Sequence, residues 1–185
     1  MLNEKFIMTL LLRILSFLFI VSVLMASVSA ETKNESFHSY YTSLKDRHCK
    51  LLHSSDWNPK AKIDSFSRQC PGRGGVKVFI RGADARSWLD IEGKNFYIDP
   101  RHFSSAFPVS FPYVSGEKLE WFYSGNQLVG FIYRVSGMDL EDYTKIKTVL
   151  AVARIDYSKS WGCILGTTSS NAQARELLKS RKPCP

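Results

Sequence analysis

The chain has 185 residues, 25 Lys and Arg against 17 Asp and Glu, a formal charge of +8, and 44% hydrophobic residues. That apolar content excludes an intrinsically disordered chain, and the length suits one domain once a leader is set apart. The positive balance favours anionic neighbours, yet it is of the size that merely keeps a domain soluble. Lys179 with Arg181-Lys182 is the nearest thing to a basic run, which argues against a nucleic-acid surface.

The first residues read as a secretory leader. Lys5 and Arg13 supply positive charge, Ile14 to Met25 is almost wholly apolar, and Val28-Ser29-Ala30 has the small residues of a cleavage site. The apolar stretch after Arg13 is shorter than the ~20 residues that span a bilayer. Residues 1–30 are therefore expected to be a signal peptide, with an uncleaved anchor as the alternative. Residues 31–185 would then be a single exported domain, periplasmic or secreted, with no transmembrane span after cleavage. Losing Lys5, Arg13 and Glu4 takes the formal charge to +7.

Cys49, Cys70, Cys163 and Cys184 lie beyond the leader. An even count behind a leader implies an oxidising compartment and two disulfides. Four cysteines allow three pairings, of which we take the sequential one, Cys49 with Cys70 and Cys163 with Cys184. A zinc site would want closely spaced ligand pairs such as C-x-x-C, and the sequence has none.

In chain order, residues 31–39 are polar and expected to fray; Asn34-Glu35-Ser36 is a glycosylation sequon. Tyr40 to Leu52 could be a helix lined by Tyr40, Leu44, Leu51 and Leu52. The preferred alternative is a first strand from Cys49 to Leu52 after a turn at Lys45-Asp46-Arg47. Residues 54–67 contain Asn58-Pro59 and read as a loop. The organising stretch is Cys70-Pro71-Gly72-Arg73-Gly74-Gly75, a Gly-rich turn running into an alternating strand from Val76 to Arg81. Val76, Val78 and Ile80 would share one face, and Lys77, Phe79 and Arg81 the other.

Residues 82–86 form a turn, and Trp88–Ile91 with Phe96–Ile98 a hairpin. Pro100, Pro108 and Pro112 forbid a helix or central strand over residues 99–113, whose phenylalanines would pack as a loop on the sheet. Leu119–Tyr123 and Leu128–Val135 flank Gly125-Asn126, a preferred hairpin turn. Residues 136–147 read as a polar excursion, followed by strands at residues 148–154 and 161–166. Ser169-Ser170-Asn171 offers N-caps for a helix from Ala172 to about Arg181. The expected fold is α+β: a mainly antiparallel sheet of about six to eight strands, with one C-terminal helix packed on it and two disulfides.

Chemistry-bearing motifs are sparse. The glycines at 72–75 precede a strand rather than opening a helix, which argues against a phosphate loop and nucleotide binding. There is no Gly-x-Ser-x-Gly elbow, and His38, His48, His53 and His102 lie in loop-like sequence without a serine partner. Asp139, Glu141 and Asp142 lack the spacing of a calcium loop. No catalytic, cofactor-binding or metal-binding residue is assigned. Arg81, Arg86, Arg134 and Arg154 are candidate anion-binding residues, since Arg134 and Arg154 at strand ends would meet on one sheet face and clamp a carboxylate or phosphate. Ordinary ion pairing at a sheet rim is the alternative.

Several blocks together resemble an uncharacterised group of exported bacterial proteins. They are Cys49, Cys70-Pro71-Gly72-Arg73-Gly74-Gly75, Asp84-Ala85-Arg86, Leu119-Glu120-Trp121, Gly162-Cys163, and Asn171-Ala172-Gln173-Ala174-Arg175 leading to Cys184. The resemblance implies export and a small disulfide-held domain, and it contributes no catalytic residues. The expected function is a non-catalytic binding or envelope-associated module, with an anionic envelope component or another exported protein as partner. The alternatives are a proteinaceous inhibitor of an envelope enzyme and a hydrolase whose site is assembled from scattered residues.

Overall fold

The computed structural model describes residues 36–55, 65–98, 107–180 and 182–184. The chain divides into two units, Met1–Glu35 and Ser36–Pro185, and the second holds every strand and helix described. The expected leader, the Asn34 sequon, His102 and Phe103 lie outside the described residues. Among those residues no helix is long and apolar enough to cross a membrane.

Among its described residues the second unit holds eleven strands and one α-helix. The strands are β1 (Phe37–Ser43), β2 (Lys50–Ser55), β3 (Ser65–Cys70), β4 (Lys77–Ala83), β5 (Arg86–Gly93), β6 (Phe96–Ile98), β7 (Val109–Val114), β8 (Lys118–Ser124), β9 (Gln127–Asp139), β10 (Ile146–Asp156) and β11 (Trp161–Thr168). The helix α1 spans Asn171–Lys179, and a 3₁₀ turn spans Asp46–His48.

All strands join one sheet in the order β1-β8-β9-β10-β11-β6-β5-β4-β3-β2, with β7 beside β9. The pairing is antiparallel except where β11 meets β6 in parallel, at Trp161 and Tyr97. The sheet is therefore mixed. Its two end strands, β1 and β2, are consecutive in the chain and joined by residues 44–49 alone. A link that short holds the ends near one another, so the sheet curls into a half-barrel. The curl is tightened where Val114 N–H of β7 donates to Ser87 Oγ of β5 at 2.8 Å.

Both faces of the central strands are covered, which is why they read as continuous apolar runs. Along β10, Val149, Ala151, Ala153 and Ile155 join the interior cluster with Trp121, Phe131, Leu89 and Ile91. Leu150 and Val152 face the other way and pack with Phe122, Ile132, Ala174 and Leu178 beneath α1. The helix lies close because β9 has glycine at 130: a Cβ there would stand 2.2 Å from the Ala153 carbonyl oxygen and 2.7 Å from Leu178 Cδ2. Both disulfides are present, Cys49–Cys70 at the base of β2 and β3, and Cys163–Cys184 tying the tail beyond α1 to β11.

Several expectations are corrected. The first strand is β1, inside the stretch expected to fray or to be ambiguous; its edge position beside β8 supplies the pairing that local sequence does not announce. Residues 65–67 belong to β3 rather than a loop, and β9 and β10 extend into the expected polar excursion. The proline-bearing segment does form a strand, β7, because Pro112 sits where its ladder with β9 skips between Ser110 and Tyr113. Phe79 of β4 is buried as well as Val78 and Ile80, so that strand does not divide into one apolar and one polar face. Ser170 makes no side-chain cap to α1; its amide donates to Thr168 Oγ1 instead, at 3.1 Å.

Candidate binding site

The organising Gly-rich stretch forms one wall of an open mouth at an end of the curled sheet. Its base is fixed by the Cys49–Cys70 disulfide. Its turn is tight: Val76 N–H donates to the Arg73 carbonyl at 3.1 Å, and Gly74 and Gly75 have φ of 59° and 78°. L side chains rarely adopt that left-handed region, whereas glycine enters it without a Cβ clash. At Gly72 a Cβ would lie 1.8 Å from the Val76 oxygen. The glycine spacing thus folds the loop so that Arg73 reaches β1, with its guanidinium 3.4 Å from the centroid of the Tyr40 ring.

On that strand His38 and Tyr40 alternate onto the interior face, opposite Tyr123 and Trp121 of β8. The His38 and Tyr123 rings stack with centroids 5.5 Å apart, and Tyr40 stands edge-on to both at 5.3 and 5.6 Å. Such offset and edge-to-face contacts are the favoured aromatic geometries. The facing wall brings Phe96 and Tyr157, with centroids 5.8 Å apart; the Tyr157 hydroxyl donates to the Leu128 carbonyl at 2.9 Å. Partial burial, and then the nearby Tyr123, hold the Tyr157 phenol above its ordinary pKa.

Two clefts of about 600 and 380 Å³ open here and share Arg73, Gly74, Tyr123 and Asn126. Clefts of this size at barrel mouths are where small ligands are commonly held. Their other polar groups are Lys94, Asn95 and Gln127 at turns and His38 on β1. Among the described residues the lining carries two cations, Arg73 and Lys94, and no carboxylate.

The four arginines singled out by sequence do not converge. Arg81 pairs with the buried Asp90 at 2.5 Å. Arg86 lies 3.7 Å from Asp84, over the Phe111 ring. Arg154 donates to the Leu178 carbonyl and, at 2.7 Å, to that of Lys182, so it caps the C-terminal end of α1. Arg134 sits opposite Leu150, four residues along β10 from Arg154, a spacing of roughly 13 Å in a strand. The expected meeting of Arg134 and Arg154 is therefore not made.

A serine partner for a histidine does exist, contrary to the sequence reading. His48 Nδ1 lies 2.7 Å from Ser43 Oγ, brought there by the 3₁₀ turn. The Arg47 Nε–H points at His48 Nε2 at 3.3 Å. Since that guanidinium only donates, Nε2 accepts, and a neutral ring carries its proton on Nδ1 toward the serine. The pair is oriented opposite to what a general base requires. His38 lies in β1 and His53 in β2, not in loops.

The acidic cluster serves a turn: Asp139 Oδ1 accepts the Glu141 amide, Asp142 accepts the Thr144 amide, and Asp142 pairs with Lys145 at 2.8 Å. Two motif blocks also meet on the outer face, where Arg175 of α1 donates to the buried Glu120 at 2.7 Å and to Tyr41 Oη at 2.7 Å.

Sequence reasoning found Arg73's loop but missed the rings that receive it. The alternation His38-x-Tyr40 was the available signal, obscured because Phe37 and Tyr41 put aromatic residues on the other face as well. No family model, curated protein or solved structure matches this chain.

Proposed function

We propose that this protein is an exported, non-catalytic binding module, periplasmic or secreted, that holds its ligand in the aromatic mouth of the half-barrel. The observation that carries the reading is the composition of that mouth: stacked rings, amides and two cations, groups that hold a ligand rather than attack one. Export is supported by the two disulfides, which persist in oxidising compartments, and by the leader-like N-terminal sequence. The resemblance to exported bacterial proteins points the same way, and an anionic envelope component suits the positive charge.

The test is a pull-down of envelope material with the disulfide-formed chain at low and high salt, beside Tyr40→Ala and Arg73→Gln. Wild type is expected to retain an envelope component that both variants retain poorly, with retention falling as salt screens the charges. Equal retention by both variants would remove the mouth from the function. N-terminal sequencing of exported material checks the leader: a chain still beginning at Met1 sinks cleavage.

A further inference from the structure

Granted that the mouth is the binding surface, its chemistry narrows the ligand. We infer that the mouth binds a saccharide bearing a carboxylate, such as a uronic acid residue within a glycan.

Three observations carry this. First, Arg73 has no acidic partner among the described residues: its guanidinium carbon sits over the Tyr40 ring, 3.4 Å from the centroid. A cation seated over a ring is held in place while its N–H groups remain donors for another partner, and a guanidinium fork matches a carboxylate bidentately. Lys94 adds a second positive charge to the larger cleft, and no carboxylate among the described residues lines either cleft to compete.

Second, the remaining polar side chains at the turns are amides, Asn95, Asn126 and Gln127. An amide both donates and accepts, as a sugar hydroxyl does, so the two match at every orientation. An acidic peptide would instead seek unpaired backbone along a strand edge, whereas these amides sit at hairpin turns. Third, Tyr40 in the smaller cleft and Tyr157 in the larger are each 39% exposed. They offer amphipathic surfaces to a ligand with one apolar face and a polar rim, which describes a pyranose.

The experiment is calorimetric titration of the disulfide-formed chain with three probes: an oligogalacturonate, a neutral glucan oligosaccharide of equal length, and a poly-glutamate peptide of equal charge. The oligogalacturonate is expected to bind about tenfold more tightly than either other probe, the worth of one charge-assisted contact. Arg73→Gln should remove the preference over the neutral glucan. Arg73→Lys should restore only part of it, because lysine keeps the charge but lacks the fork. Tyr40→Ala should weaken both saccharides.

Poly-glutamate binding as tightly as the oligogalacturonate would overturn the saccharide assignment. So would an oligogalacturonate affinity unchanged in Arg73→Gln, or no binding of it at all. In those cases, envelope retention that still falls in Tyr40→Ala leaves the mouth as the binding surface; retention unchanged in both variants removes the broader reading too.

Discussion

Glu120 and Arg175 form a pair whose members are unequally placed. The Glu120 side chain is 4% exposed and that of Arg175 37%. Removing the arginine strands a carboxylate in the protein, while removing the glutamate leaves a guanidinium that still reaches water and Tyr41. Arg175→Ala is therefore expected to cost about 3 kcal/mol, and Glu120→Ala about half that, discounted for the exposure of the surviving arginine. Urea unfolding of both variants decides it; an equal or reversed order would contradict the burial argument. Tyr133 poses the opposite case. It is buried, and its hydroxyl makes no hydrogen bond among the described residues. Burial, and secondarily the charge of Asp90, push its phenol up. Tyr133→Phe removes an unsatisfied polar group and keeps the ring, so it should stabilise by about 1 kcal/mol. A destabilised variant would mean that the hydroxyl has a partner in solution.

The hairpin turns between elements hold two kinds of information. Between β4 and β5, Asp84 and Ala85 have φ of 53° and 61°, the geometry of a two-residue turn that favours Asn and Gly. Alanine is strained there, so Ala85→Gly should raise stability by about 1 kcal/mol, less the entropy that glycine adds to the unfolded chain; a lowered urea midpoint would refute it. The turns after β9 and β10 rest on carboxylates. Asp142 is held below its ordinary pKa of 3.8 by hydrogen bonds from Lys145 and then Thr144. Asp156 is lowered chiefly by Ser158. A depressed folded pKa gives stability that is present above the unfolded value and lost as pH falls through the folded one. Melting temperature should therefore show no pH dependence from these turns between about pH 6 and 8, where their contribution is fully present, and a decline below about pH 4, shallower in the Asp142→Asn/Asp156→Asn double variant. An acid limb of equal slope in that variant would show that other groups carry it. Legibility follows the same physics. Long apolar strands such as β10, and the hairpin at Gly125, could be read from local pattern because burial and turn chemistry are local. Strand β1 could not: it is half-exposed, and its register with β8 spans some eighty residues of intervening chain.

At the scale of the molecule, the site was legible only on one side. The glycines around Arg73 announce a shaped loop, but the partner rings arrive from β1, β6, β8 and the turn after β10, which meet only because the sheet curls. The arginines expected at strand ends failed for a related reason: β9 and β10 run on past Arg134 and Arg154 to Asp139 and Asp156, and Arg154 was taken by the end of α1. The two disulfides separate these contributions. Each joins cysteines 21 residues apart, so the chain-entropy model gives each the same stabilisation, about 3 kcal/mol. Their structural consequences differ. Cys49–Cys70 fixes the base of the Arg73 loop, while Cys163–Cys184 holds the tail whose Lys182 carbonyl Arg154 caps. Paired serine replacement of either bridge should therefore lower unfolding free energy by similar amounts. Only the Cys49→Ser/Cys70→Ser variant should speed amide exchange across residues 72–76 and weaken ligand capture by the mouth. Only the Cys163→Ser/Cys184→Ser variant should speed exchange in the last turn of α1. If loss of the second bridge loosens the mouth as much as loss of the first, the loop is ordered by global stability rather than by its own clasp, and Arg73 owes its position to the body of the sheet.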